Sequence, residues 1–360
     1  TIKDGKNIHI IDTKREGRVQ SVNLFMSNVR EQVGELGAGN IPALLGLTEA
    51  RAGQTISTVK GIDLFEPSKY VSEPVIQMAI EPKHPKDLPQ LVETLRKLTI
   101  EDPNLIIKID KETGETIMAG MGVLHLDVSV NLIKDAKIDI ITSEPLINYR
   151  ETILGSSEVV MAKSPNRHNK IFMRVEPLEP EIAEMCRDGT LSEMKDKKET
   201  TQILRDHGWE PDVAKKVMRF DSRGNVMING TKGVQFVDES TDSLLSGFDD
   251  LINEGGLAKE QVRNCKFTFT HFVPHEDTAH RGLSQLGPAS RRACLGAFLS
   301  AEPIILEPML AIEVRVPTDL IGNVSSVLQG KRGKVLDMQQ KGAASIVIGE
   351  VPAVETFDIS

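Results

Sequence analysis

Ile76-Gln77-Met78-Ala79-Ile80, answered a few residues later by Leu88-Pro89-Gln90-Leu91-Val92-Glu93-Thr94-Leu95-Arg96-Lys97-Leu98, decides the fold class. In the first run Ile76, Met78 and Ile80 alternate with other residues, so one face of a strand is apolar. In the second, Leu88, Leu91, Val92, Leu95 and Leu98 recur at the spacing of one helix face. Residues 106–110 and 116–119 read as a hairpin turning across Glu112-Thr113-Gly114, and a second helix is expected over about 124–134. The order over residues 73–145 is β-α-β-β-α-β.

That order is a split βαβ, or ferredoxin-like, unit. Its opening recurs at 307, where Glu307-Pro308 echoes Glu73-Pro74. Leu310, Ile312, Val314 and Val316 alternate; Leu320, Ile321, Val324, Val327 and Leu328 make a helical stripe; strands are expected over 334–339 and 345–351. The second helix and last strand of such a unit are not reached by residue 360, so 304–360 reads as a truncated ferredoxin-like domain with an open sheet edge. Residues 1–62 contain short apolar runs at 8–11, 18–22 and 41–45, punctuated by glycines, which suits part of a small antiparallel β-barrel. Residues 63–72 read as a linker. Residues 146–303 form a longer, elongated α+β block. It holds a charged helical insertion at about 180–218, a strand with an Asn229-Gly230 turn, an acidic helix near 240–254 and a strand over 266–272. A final helix is expected from about Pro288 to Ser300. The fold class is therefore multidomain α+β.

Composition bounds the function. With 360 residues the chain exceeds one ordinary domain; roughly 100–200 residues per domain gives about two to four. Hydrophobic content of 39% and charged content of 26% describe a globular protein. No window nears about 18 uninterrupted apolar residues, so no membrane span is expected. Thr1-Ile2-Lys3-Asp4-Gly5 has no apolar signal core and reads as the middle of a fold, so a fragment is expected. Cys186, Cys265 and Cys294 are far apart in sequence, which excludes a CxxC motif and fits a reducing, cytoplasmic compartment.

A net charge of −9 argues against a general polyanion binder, but the charge is uneven. Lys163, Arg167, Lys170 and Arg174 lie in a stretch free of acidic residues. Lys331, Arg332, Lys334 and Lys341 are opposed only by Asp337, and Arg281, Arg291 and Arg292 follow a histidine-bearing loop. Each run alone is ordinary solvated surface. Together they suit phosphate contact, and an aromatic content of 4% favours backbone and shape contact over base stacking.

His275-Glu276-Asp277-Thr278-Ala279-His280-Arg281-Gly282 is the strongest local constellation. A zincin needs two histidines at i and i+4 on one helix face. Here the spacing is i and i+5, so on a helix the rings would point about 140° apart. A hydrolase built on His275, Glu276 and His280 meets the same objection. Two readings remain: an ordinary polar loop, or a loop that presents His280 outward beside the positive amino end of the next helix. Ser164-Pro165-Asn166-Arg167-His168-Asn169-Lys170 is turn chemistry in a basic setting, suited to solvated surface or to a phosphate backbone. Ala119-Gly120-Met121-Gly122 precedes a helix, but no GxxxxGK[ST] loop occurs, and close strand–helix packing accounts for it better.

Taken in order, these segments resemble the archaeal and eukaryotic elongation factor 2 family, the translocation GTPases of the ribosome, along essentially the whole chain. The anchors are Ala119-Gly120-Met121-Gly122 with Leu124-His125-Leu126, Glu144-Pro145 with Tyr149-Arg150-Glu151-Thr152, and Ser164-Pro165-Asn166 with His168-Asn169. Thr231-Lys232-Gly233-Val234-Gln235, His275-x-Asp277-x-x-His280-Arg281-Gly282 and Lys331-Arg332-Gly333 complete the set. The archaeal branch is the most similar.

The resemblance implies the end of a β-barrel second domain, a ferredoxin-like third, an elongated fourth that reaches the decoding region, and a truncated fifth. It implies that His280 matches the tip histidine modified to diphthamide, the residue that diphtheria toxin ADP-ribosylates. Residues 164–170 match a neighbouring tip loop. His275, Asp277, Arg281, Gly282, Ser164, Pro165, Asn166, Arg167, His168 and Lys170 are then the tip residues near RNA. It further implies no cofactor in this chain, with GTP and Mg held by a GTPase domain outside these residues, so that the chain alone is not an enzyme. The implied partners are the ribosome (rRNA and ribosomal proteins), the tRNA–mRNA duplex, diphthamide-synthesis enzymes and ADP-ribosylating toxins, with no membrane and a monomeric state. Two local departures stand out: Leu283-Ser284-Gln285, where the family usually has more Gly or a Pro-Ala pair, and Val123, where it usually has Glu. A non-translocating ribosome-assembly or spliceosomal relative is the alternative, and the two-histidine motif argues against it.

Overall fold

The structure is a computed structural model that describes residues 1–27, 29–48, 50–65, 73–109, 115–193, 195–342 and 344–357. It is a mixed α+β chain with several separate sheets. Contacts divide it into two compact units, one running from Thr1 to Ile147 with the residues from Ala353 onward, the other from Asn148 to Pro352.

In the first unit, Asn7–Ile10 pairs antiparallel with Arg15–Arg18 and with Ile56–Ser57, while Ser21–Met26 pairs antiparallel with Val29–Gln32 and with Ala43–Leu45. Ile8, Val19 and Val22 form the buried centre. The apolar run expected at 18–22 is not one strand. Val19 N bonds the carbonyl of Lys6 and Gln20 N that of Leu45, so the run is the crossing point from one sheet to the other.

The decisive stretch folds as expected. Ile76–Pro82 lies between Thr116–Gly120 and Ile140–Thr142, and Ile106–Ile109 adds at the edge. Helices α1 (Leu88–Glu101) and α2 (Val123–Asp135) cover the face on which Ile76, Met78 and Ile80 are buried. The buried line of α1 is Leu91, Leu95 and Leu98, whereas Leu88 and Val92 are about half exposed. The stripe is thus narrower than its sequence spacing suggested. The Glu112-Thr113-Gly114 turn and most of the 63–72 linker lie outside the described residues. A Cβ on Gly120 would sit 2.8 Å from His125 Nδ1 and 2.9 Å from Leu126 Cδ2. That crowding explains the glycine as close strand–helix packing and leaves no room for a phosphate there.

The second unit is built on a sheet ordered Val160–Lys163, Lys170–Pro177, Cys265–Val273, Asn225–Asn229, Val217–Asp221. One face carries the expected insertion as three short helices, α3 (Pro180–Arg187), α4 (Lys197–Asp206) and α5 (Pro211–Ala214). The other carries α6 (Val237–Glu254) and α7 (Leu283–Leu299). The strand Asn225–Asn229 is buried on both sides: Met227 joins the α6–α7 core while Val226 and Ile228 join the insertion's core. It runs parallel to Cys265–Val273, so α6 is the crossover of a βαβ unit. The hairpin before it turns at Asp221–Gly224, with Gly224 at φ +85, and not at Asn229-Gly230. Gly230 N instead bonds Phe269 O at the sheet's far end. Helix α7 begins at Leu283, a full turn before the expected start, and Pro288 is interior. Its buried face is lined by Gly287, Ala289, Ser290, Ala293 and Ala297, small residues that let α6 approach closely. A Cβ on Gly247 of α6 would collide with Arg291 N and Gly287 O.

Arg150–Ile153 pairs with Pro303–Leu306. Met309–Pro317, Ala344–Pro352 and Lys334–Lys341 form a further antiparallel sheet with α8 (Ile321–Gly330) against it. Glu151, in the Tyr149-Arg150-Glu151-Thr152 motif, is fully buried. Its carboxylate accepts from the backbone N–H groups of Gly256 (2.6 Å), Leu257 (2.9 Å), Ala258 (2.8 Å) and Glu260 (3.1 Å), pinning the loop between α6 and the strand Cys265–Val273. Gly255 at φ +63 begins that loop, and any side chain there would strike the Glu151 carboxylate and the Glu260 carbonyl. Buried donors left without this anion would lose their partners in a low-dielectric setting. Glu151→Ala should therefore destabilise this unit by on the order of 3 kcal/mol. The test is a urea titration followed through Trp209, the one tryptophan of the chain; an unchanged midpoint would contradict the role given to Glu151.

Candidate functional site

Two loops meet at one end of the second unit's sheet. The first joins Val160–Lys163 to Lys170–Pro177. Pro165 presets the turn, and Arg167 adopts a left-handed φ of +63. Ser164 is buried, and its Oγ donates to Asn166 Oδ1 at 2.5 Å while accepting from Asn169 N at 3.0 Å and Asn169 Nδ2 at 3.1 Å. The loop thus closes on its own side chains, and Lys163, Arg167, His168 and Lys170 are left exposed.

The second loop leaves the strand Cys265–Val273 and enters α7. Asp277 caps a short 3-10 turn, Thr278–His280, by accepting from Ala279 N at 2.9 Å. His275 Nδ1 accepts from Asp277 N at 3.1 Å, so a neutral His275 carries its proton on Nε2. Gly282 is the N-cap of α7. Both sequence-predicted loops are therefore brought together, joined through the buried Asn169 and the half-buried Asn166. Asn169 Oδ1 accepts from His275 N at 2.8 Å, and Asn169 Nδ2 donates to the carbonyl of His280 at 2.8 Å. Asn166 Nδ2 donates to the same carbonyl at 3.1 Å, and Asn166 N donates to Gln285 Oε1 at 3.0 Å.

The result is a cluster of three imidazoles. His168 lies 5.0 Å from His275 and 5.1 Å from His280, centroid to centroid, and His275 meets His280 edge-on at 4.7 Å. His280 is half-buried, at one corner of a triangle whose other corners are His168 and His275, and is less exposed than the outward-facing residue expected from the sequence. Arg281 is the larger correction. Its side chain is only 5% exposed and pairs with Glu239, Nη1 to Oε2 at 3.3 Å. Its Cζ sits 4.0 Å from the centre of the Phe236 ring. A guanidinium turned inward onto a carboxylate and an aromatic face is a loop anchor and is not available to a phosphate backbone. Ser164 is likewise a buried brace. The basic residues that do face out here are Lys163, Arg167 and Lys170.

Asn169, Gln285, Phe236 and Glu239 carry the geometry without having stood out as site residues. Asn169 was visible within its motif, but its partners are more than a hundred residues away, and no local pattern announces them. The thiols of Cys186, Cys265 and Cys294 are pushed up to about 12, chiefly by burial, so none is a thiolate at neutral pH. Among the described residues no group of three or more His, Cys, Asp or Glu side chains is disposed to hold a metal ion. What the arrangement offers is a rigid, cationic-rimmed tip with a fixed imidazole.

Comparison with known proteins finds four family matches along the chain. Residues 1–57 match the family described as Elongation factor Tu domain 2, and residues 71–144 match Elongation Factor G, domain III. Residues 189–302 match Elongation factor G, domain IV, and residues 304–360 match Elongation factor G C-terminus. The chain is 70% identical, over all 360 residues, to the Elongation factor 2 of Cenarchaeum symbiosum, of which it covers 49%. It is 44% identical to that of Sulfurisphaera tokodaii and 43% identical to that of Metallosphaera sedula, in each case over the whole chain and 50% of the relative. The chain thus spans about half the length of the curated relatives it matches. With four elongation-factor families matched in order and identity sustained end to end, the chain belongs to the elongation factor 2 family.

Proposed function

We propose that these residues form the ribosome-contacting arm of a translation factor, promoting GTP-dependent translocation of tRNA and mRNA in the whole protein. The observation that carries the reading is the double clamp on the His280 carbonyl by Asn166 and Asn169, which fixes one imidazole at the end of a sheet rimmed by exposed cations. On this reading, residues 1–62 are the end of a β-barrel domain and 63–72 a linker. Residues 73–145 are a ferredoxin-like domain, 146–303 the tip-bearing domain, and 304–360 the opening of a second ferredoxin-like domain. The buried cores around Ile8, around Ile76 and around Phe267 support that division.

GTP and Mg are assigned to a part of the factor outside these residues; the packing of Gly120 against His125 and Leu126, as a strand–helix contact, supports that reading. His280 is the position we assign to diphthamide, with the modifying enzymes and ADP-ribosylating toxins as its protein partners. The factor works as a cytoplasmic monomer on rRNA and ribosomal proteins. Arg167 and Lys170 contact phosphates near the tRNA–mRNA duplex and position the tip without reading sequence.

Two experiments test this. In the full-length factor, His280→Arg should abolish toxin-catalysed ADP-ribosylation, and undiminished labelling would remove His280 as the acceptor. The double reversal Arg167→Glu with Lys170→Glu should slow translocation by about tenfold while leaving GTP hydrolysis within about twofold, as expected for loss of positioning phosphate contacts. Equal loss of both activities would contradict the tip assignment.

A further inference from the structure

The segment Thr231-Lys232-Gly233-Val234-Gln235 carries a recognisable motif that neither the histidine cluster nor the sheet core uses directly. It leads from the strand Asn225–Asn229 into α6. Its first residue is fixed: Thr231 N and Oγ1 both donate to Asn229 Oδ1, at 3.0 and 2.7 Å, and Lys216 Nζ donates to the Thr231 carbonyl at 3.2 Å. The chain then turns through Gly233 at φ +63 and Phe236 at φ +64. A left-handed phenylalanine at a helix N-cap is strained, and surrounding contacts must hold it there. The turn delivers two groups to one place. The Phe236 ring lies under the Arg281 guanidinium, and Glu239, in the first turn of α6, supplies its carboxylate partner.

We infer that Phe236 and Glu239 are positioning residues for His280, acting through Arg281. Arg281 directly follows His280, and its own N–H bonds Thr278 O at 3.0 Å, so the end of the histidine loop is fixed where the guanidinium is fixed. Asn166 and Asn169 hold the His280 carbonyl from the other side. Arg281 has little else to hold it: Nη2 reaches the Glu276 carbonyl only at 3.5 Å, and its buried Nε has no partner among the described residues. A buried guanidinium deprived of its carboxylate or its aromatic face turns toward water, because an unpaired charge in a low-dielectric pocket is unfavourable. That turn pulls Arg281 and Gly282 outward and loosens the loop from both asparagines. The role of the motif at 231–235 is thus to place Phe236 and Glu239. The inference rests on the reading of His280 as the working residue.

The test uses the full-length factor and four forms: wild type, Glu239→Ala, Phe236→Leu and Phe236→Tyr. Amide hydrogen exchange across 278–282 should quicken by about tenfold in Glu239→Ala and Phe236→Leu, the scale of one partly desolvated cation–π or ion-pair contact. Exchange in the strand Cys265–Val273 should stay at the wild-type rate. Phe236→Tyr keeps an aromatic face and should behave as wild type. Toxin-catalysed labelling of the modified factor should lose about tenfold in kcat/KM in the same two variants and be retained in Phe236→Tyr. Unchanged loop exchange in both disruptive variants would overturn the inference. So would a rise that spreads in step to Cys265–Val273, since Phe236 and Glu239 would then be general stabilisers. A wild-type factor that is not labelled at all would overturn the assignment of His280 instead, and the exchange comparison would still decide the clamp.

Discussion

One buried amide, Asn169, joins the two loops on which the functional reading depends. It is fully inaccessible to solvent, and its side chain donates to the His280 carbonyl while accepting from His275 N. A neutral side chain that bridges two backbones in this way satisfies polar groups that would otherwise be buried without partners, and it fixes their separation. The strand Cys265–Val273 connects this joint to a second one of the same kind. At its other end the Glu151 carboxylate gathers the amides of the loop that follows α6. Between the two joints Cys265, Phe267, Phe269 and Phe272 pack into the core beneath α6 and α7.

The constraint has a consequence for charge. The tip belongs to a chain with a net charge of −9, yet the cations that remain exposed beside it, Lys163, Arg167 and Lys170, all come from the first loop. The second loop supplies histidines and an arginine that is consumed internally by Glu239 and Phe236. The exposed cations and the histidine pair His275 and His280 thus come from different loops.

Much of the fold was legible because it rests on periodicity. The alternation of Ile76, Met78 and Ile80 and the line Leu91, Leu95, Leu98 are local signals, and both appear where they were expected. The misreadings occur where tertiary contacts override local chemistry. Asn229-Gly230 has the composition of a hairpin turn, but parallel pairing with Cys265–Val273 carries the chain onward, and Gly224 takes the turn. Pro288 suggested a helix start, but α7 already has an N-cap at Gly282 and tolerates the proline in its second turn. Of the candidate site, the two histidine-bearing loops were readable as motifs. Arg281 was misplaced because sequence gives its charge and not its direction; Glu239 and Phe236 lie some forty residues away along the chain. The cooperation of His168 with His275 and His280 had no sequence signal either.

We propose that His280, held by Asn166 and Asn169 and packed against His168 and His275, is the residue this end of the sheet presents. The most direct measurement is a high-resolution mass determination on the peptide containing His280, prepared from the factor in its native source. The account predicts an added mass that fragmentation places on His280, with His275 and His168 unmodified. An unmodified His280, or the added mass on His275, would contradict it.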